Sequence, residues 1–209
     1  MAGEHKFNTV STPSTPATGK AILYANTDKF FHVMNENGQD YINQIAFFAS
    51  NVSDFTLANS ASAQSPFAAA VDTLTVPAAT TYFFELLLQI TGMGATTRTT
   101  ALEFDAGSAT LTSISYFAEI FTGAANTIPT ASGQLHAVAA TAQILNATVA
   151  TAAATIRARG LVRFNAAGTF IPQIKFSADP TGTILCKKDS FILLTPLGSN
   201  TVASVGPWA

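Results

Sequence analysis

Residues 155–177 read TIRARGLVRFNAAGTFIPQIKFS. Arg157, Arg159 and Arg163 fall at spacings of two and four, and Lys175 follows beyond a turn. Spacing by two places side chains on one face of a β-strand, so the arginines line one side of one strand. The stretch reads as a hairpin around Asn165–Gly168, with Gly168 supplying the backbone freedom of the turn. With Phe164 facing Phe170, the register puts Val162 opposite Pro172, Gly160 opposite Ile174 and Ala158 opposite Phe176, an apolar face. The other face then pairs Arg163 with Ile171, Leu161 with Gln173 and Arg159 with Lys175. Like charges directly opposite destabilise a sheet, so this register demands carboxylates nearby.

The same strand logic extends in both directions. TLTVPAATTYFFELLLQITG gives a strand from Thr81 to Ile90, begun after Pro77 and closed by Gly92 and Gly94. One of its faces holds Tyr82, Phe84, Leu86 and Leu88 and the other Phe83, Glu85, Leu87 and Gln89, a pattern expected of a strand covered on both sides. TTALEFDAGS and ATLTSISYFAEIF add two strands around Gly107. Residues 135–156 mix helix-favouring Ala with strand-favouring Thr, Val and Ile, and read as two strands turning near Asn146. Many short strands separated by Gly, Pro and Asn turns predict an all-β chain built on a jelly-roll-like β-sandwich over residues 46–209. Ahead of it, Ile22–Tyr24, Lys29–Met34 and Gln39–Ile42 form a small β-meander within residues 20–45, with Asn37-Gly38 as a hairpin signal. Residues 1–19, rich in Ser, Thr and Pro, read as an extended arm. A three-stranded meander buries little by itself and is expected to pack on the main domain, on another subunit or on a larger assembly.

Composition narrows the function. Charged residues make up 11% of the 209, against about 25% in a typical soluble chain, and mean hydropathy is +0.30. Such a dry surface is expected to be covered in part by other subunits. A net charge of −2 speaks against nucleic acid, whose binding to a backbone of phosphates needs a basic excess. Cys186 is the single cysteine, so no intrachain disulfide forms, and its place in the alternating TILCKKDSFILL predicts a packed thiol. The N-terminal twenty residues lack the apolar core of a signal peptide, which predicts synthesis in a host cytoplasm. The uncharged run Ala137–Ile156 is broken by Gln143, Asn146 and several threonines, and no membrane partner is expected.

Chemistry is sparse. His5, His32 and His136 each lack a second ligand at metal spacing, and no nucleophile elbow, HExxH helix or P-loop occurs. Glu103 and Asp105 are neighbours on one strand face, whereas glycoside hydrolysis needs two carboxyls facing across a cleft. Neither an enzyme nor a cofactor is expected. Asn51 and Asn146 match the N-x-[ST] pattern, which has meaning only in a secreted eukaryotic chain. Glu85, Glu103, Asp105 and Glu119 are the carboxylates placed to answer the arginines. Two readings stand side by side: a solvated strand face, whose ion pairs contribute ~0–1 kcal/mol each, and an ion network between subunits. The second draws on Phe83, Leu87, Phe117 and Leu161, which make these faces too apolar for simple solvent faces. Its members are Arg157, Arg159, Arg163, Lys175, Glu85 and Glu119, together with Trp208 docked on its own or a neighbouring subunit.

Two passages resemble known families. LYANTDKFFHVMNENGQDY resembles a short β-repeat that recurs in bacteriophage tail-fibre and other virion proteins. LANSASAQSPF, LTVPAATTYFFELLLQITG, ATLTSISYFAEIF, IRARGLVRFNAAGTFIPQIKFSADP and the terminal GSNTVASVGPWA are together similar to a C-terminal β-domain of tailed-bacteriophage virion proteins. That likeness spans roughly three quarters of the chain and implies a trimerising jelly-roll-like module on a virion exterior, without catalytic residues. The expected function is a homotrimeric capsid decoration or cement protein on the outer surface of the head, its arm and meander bound to the major capsid protein or another virion protein. No stalk, coiled coil or collagen-like repeat precedes the domain, which favours this reading. The alternative is a tail fibre or receptor-binding protein recognising host surface glycans. A third reading, a glycan depolymerase, lacks a defensible acidic pair.

Overall fold

A computed structural model describes residues 13–25, 31–34, 40–42, 46–105, 107–122 and 131–204. The chain divides into two compact units, 1–46 and 47–209. In the first, β1 (Ile22–Ala25), β2 (Phe31–Met34) and β3 (Asp40–Ile42) form an antiparallel meander in the order β1-β2-β3, with Tyr24 opposite His32 and Met34 opposite Asp40. The Asn37-Gly38 turn, His5 and Trp208 lie outside the described residues.

The second unit holds β4 (Phe47–Ser50), β5 (Phe55–Thr56), β6 (Leu74–Val76), β7 (Thr80–Thr91), β8 (Thr100–Asp105) and β9 (Thr110–Thr122). There follow β10 (Ala131–Ala137), β11 (Gln143–Ile144), β12 (Ala154–Ala166), β13 (Gly168–Phe176), β14 (Leu185–Cys186) and β15 (Phe191–Ser199). Two antiparallel runs dominate, β4-β15-β7-β12 and β6-β13-β8-β11. The chain crosses between them from β4 to β6 to β7 to β8, and again from β11 to β12 to β13 to β15. That is the jelly-roll succession, and the unit is an all-β, jelly-roll-like sandwich. The hairpin β9–β10 interrupts it between β8 and β11, and widens the larger sheet by pairing β9 with β12.

Alternation along each long strand builds the core. Tyr82, Phe84, Leu86, Leu88 and Ile90 of β7 point inward beside Ile156, Ala158, Val162 and Phe164 of β12. Leu102, Phe104, Phe170, Ile174 and Phe176 answer them from the smaller sheet. Each such phenylalanine, taken from water, contributes roughly 1.5–3 kcal/mol. Edge-on rings lock the layers together: Phe84 lies 5.1 Å from Phe104, and Phe104 lies 5.2 Å from Tyr116. Gly160 makes this possible, because it sits between Phe84 and Tyr116 on the neighbouring strands. A Cβ there would come within 2.2 Å of the Ser115 carbonyl oxygen and 2.5 Å of Tyr116 Cβ.

Three expectations are corrected. The hairpin at 155–177 does not form: β12 pairs β7 and β9, whereas β13 pairs β8 and β6 in the opposite sheet. At 12 and 13 residues, β7 pairs β12 from Ala154 to Phe164 and β9 pairs it from Ala154 to Ala166, and the nine-residue β13 is left to the other sheet. The chain turns a corner at Gly168, where a Cβ would lie 2.2 Å from Ala109 N. Phe164 and Phe170 do meet, with centroids 5.2 Å apart, but through the core. Lys175 therefore faces Ala101, not Arg159, and lies in the other sheet. Second, residues 135–156 form neither a helix nor two regular strands turning at Asn146. After β10 the chain makes only β11 and one bridge, Val149 to Arg98, before β12 begins. Asn146 is buried and its Oδ1 accepts the Thr100 N–H at 2.7 Å, which ties this small-residue strap to the end of β8. Third, β7 is covered on one face only by its own unit: Phe83 and Leu87 stay half-buried on the outer side.

Candidate protein contact face

The inward alternation of the large sheet leaves its odd-numbered positions outward. On β7 these are Phe83, Glu85 and Leu87; on β12, Arg157, Arg159 and Leu161; on β9, Phe117 and Glu119; on β15, Phe191 and Leu193. The register arranges them in rows across the strands. One row runs Leu193, Glu85, Arg159, Phe117 and His136, and the next runs Phe191, Leu87, Arg157 and Glu119. Charges of both signs thus alternate with large apolar groups on a sheet face. Between the rows lies an open depression of about 480 Å³, lined among others by Glu85, Leu87, Arg157, Arg159, Phe117 and Phe191.

The arginines of the opening stretch have three different fates. Arg157 Nη1 lies 3.2 Å from Glu119 Oε1, with the arginine side chain 65% exposed and the glutamate 17%. Arg163 turns to the end of the chain: Nη1 donates to Thr81 Oγ1 at 3.2 Å and to the Asn200 carbonyl at 2.8 Å, and Nη2 donates to the Val202 carbonyl at 3.0 Å. It is a clasp for residues 200–202. Arg159 has Glu85 as its direct cross-strand neighbour, yet no ion pair within 4.0 Å joins it to a carboxylate among the described residues. Of the carboxylates expected to answer the arginines, Glu85 and Glu119 flank β12, while Glu103 and Asp105 lie in the smaller sheet.

Sequence reasoning missed the most deeply buried charge. Arg98, 1% exposed, stands in the link from β7 to β8. Its guanidinium donates to the carbonyls of Gly94, Thr96 and Thr151, the last at 2.7 Å, and lies 5.8 Å from the centre of the Phe176 ring. Burial holds its pKa below the ordinary arginine value. A lone arginine among threonines gave no periodic signal, and its partners are backbone carbonyls, two in its own loop and one at Thr151, which no side-chain pattern foretells.

Other candidate groups are structural. Cys186 is buried, and burial foremost pushes its thiol pKa up, which keeps it protonated and unreactive. Asp54 bonds the Lys187 ammonium and accepts the Lys188 N–H at 2.9 Å, and these bonds lower its pKa. The Tyr116 hydroxyl is buried without a partner, and desolvation raises its pKa. His136 Nε2 lies 3.1 Å from Ser115 Oγ at the exposed rim. Asn51 and Asn146 are both buried. Among the described residues, no group of three or more His, Cys, Asp or Glu side chains is placed to hold a metal ion, and no helix is long and apolar enough to cross a membrane. Compared with protein-family models, with curated proteins and with solved structures, the chain matches none.

Proposed function

We propose that this protein is a non-enzymatic structural protein of a tailed-bacteriophage virion, a homotrimeric decoration protein that stabilises the outside of the head. The observation that carries the proposal is the outer face of the large sheet, where Phe117 and Leu161 are 38% and 37% exposed beside Arg159 and Glu85. Aromatic residues and arginine mixed on one face are the chemistry of a protein contact. A rigid jelly-roll-like sandwich presents that face without help from a ligand, and the resemblance of its sequence to virion β-domains gives the setting. In this reading the N-terminal unit attaches to the major capsid protein or another virion protein, and the sandwich shares its stability with neighbouring copies.

The test is to strip the protein from particles and add it back. A decoration protein rebinds the head, gold-labelled antibody then spreads over the capsid, and the decorated heads survive heating better than bare ones. Label confined to the tail, with binding to host glycans, replaces this reading with that of a receptor-binding protein. Turnover of a glycan would overturn its non-enzymatic character.

A further inference from the structure

We infer that the outer face of the large sheet receives a second copy of this chain, with Arg159 of one copy paired to Glu85 of the next. The inference rests on the reading of the protein as a self-associating subunit and specifies the contact.

The charges on the face are not equivalent. Arg157 is answered by Glu119 and Arg163 by the carbonyls of Asn200 and Val202, all inside one chain. Arg159 and Glu85 are both exposed, stand on adjacent strands, and form no ion pair with each other. One cation and one anion are left for a partner to meet. Around them Leu87 and Phe191 are half-buried and Phe117 and Leu161 more open, an apolar surround that removes water from a charge pair once a partner sits down.

Charge decides which partner fits. Two arginines and two glutamates make the centre of the face electrically neutral, and Lys175, Lys187 and Lys188 all lie on other strands or loops. A strongly acidic or basic partner finds no net field to complement. A second copy does, because the free cation and free anion are one strand apart. Set around a threefold axis at this patch, rather than face to face, one copy brings its Arg159 to the Glu85 of the next. Such a contact is head-to-tail: each copy offers Arg159 to one neighbour and Glu85 to the other, so three copies can close a ring.

The experiment uses the full chain. Glu85→Arg and Arg159→Glu are each expected to raise the dissociation constant of the assembly by roughly tenfold or more, while Lys175→Glu on the other sheet leaves it unchanged. Each reversal also puts like charges side by side within one copy, so the deciding step is to mix the two variants. A mixed ring of three restores two of its three contacts and keeps one repulsive one, so mixed assemblies weaker than the native but present where neither variant assembles alone are expected, a recovery that only pairing between copies supplies. The inference is overturned if both single reversals assemble like the native chain, if mixing yields no mixed assembly, or if the native chain is monomeric. Assembly that is native-like in both reversals would leave the trimeric virion subunit standing and remove only this contact, whereas a protein that assembles as inferred yet binds no particle would remove the virion reading alone.

Discussion

At the corner between β7 and β8, Arg98 is 1% exposed and every group it bonds is a backbone carbonyl of its own chain. On the outer face of β12, Arg157 is 65% exposed and Arg159 stands beside a carboxylate it does not pair with. Both regions use the same side chain, whose planar fork of donors suits either task. At the corner both terminal nitrogens of the fork are bonded from within and only Nε lacks a partner, so the charge rigidifies the link between sheets. On the face it is left partly unsatisfied, in a low-charge chain where each arginine is a conspicuous choice. In the proposed reading, the difference teaches that the corner serves the fold of one subunit and the face serves what the subunit touches.

If this division is right, substitutions should separate cleanly between monomer stability and assembly. The largest loss is expected from Arg98→Met, which strands the carbonyls of Gly94, Thr96 and Thr151; chemical denaturation should show a loss of roughly 3–5 kcal/mol, and Arg98→Lys should recover little because one ammonium cannot span three acceptors. Gly160→Ala comes next, at roughly 2–3 kcal/mol, since its Cβ would collide with the backbone of β9 at Ser115. Arg163→Ala opens the clasp on residues 200–202; thermal unfolding should report about 1–2 kcal/mol, and limited proteolysis should cut near Asn200 sooner. The smallest effect on a single subunit belongs to Arg157→Ala with Arg159→Ala, under about 1 kcal/mol. That double variant should nevertheless dissociate more readily than the native assembly; a monomer as damaged as by Arg98→Met, with assembly unchanged, would erase the distinction between corner and face.

Much of the fold was legible because its signals are local. The alternation in TTYFFELLLQIT marks β7 to within a residue of its ends, and the strand character of 155–176 is plain from the arginine spacing. Strand partners were not legible. Whether Phe164 and Phe170 face each other along a ladder or through a core leaves the same pattern in the sequence, and the choice is made by β7 and β9, which lie dozens of residues upstream. Lys175 was misplaced for that reason. The charged outer face was half legible: spacing put Arg157, Arg159 and Arg163 on one side, and alternation supplied Glu85 and Glu119. That Arg163 is held by the chain's own last described residues depends on a turn at 199–202, which carries no charge and no strong motif. Arg98 was invisible because its partners are carbonyls, which every residue has.

The most direct test of the account is the mass of the intact protein in solution, followed by sedimentation from nanomolar to micromolar concentration. A threefold mass that falls to that of one chain on dilution, with Arg98→Met unfolding the subunit and Arg159→Glu only releasing it, is the predicted result. A single-chain mass at every concentration would contradict the account, because the open face of the large sheet would then have no second copy to meet.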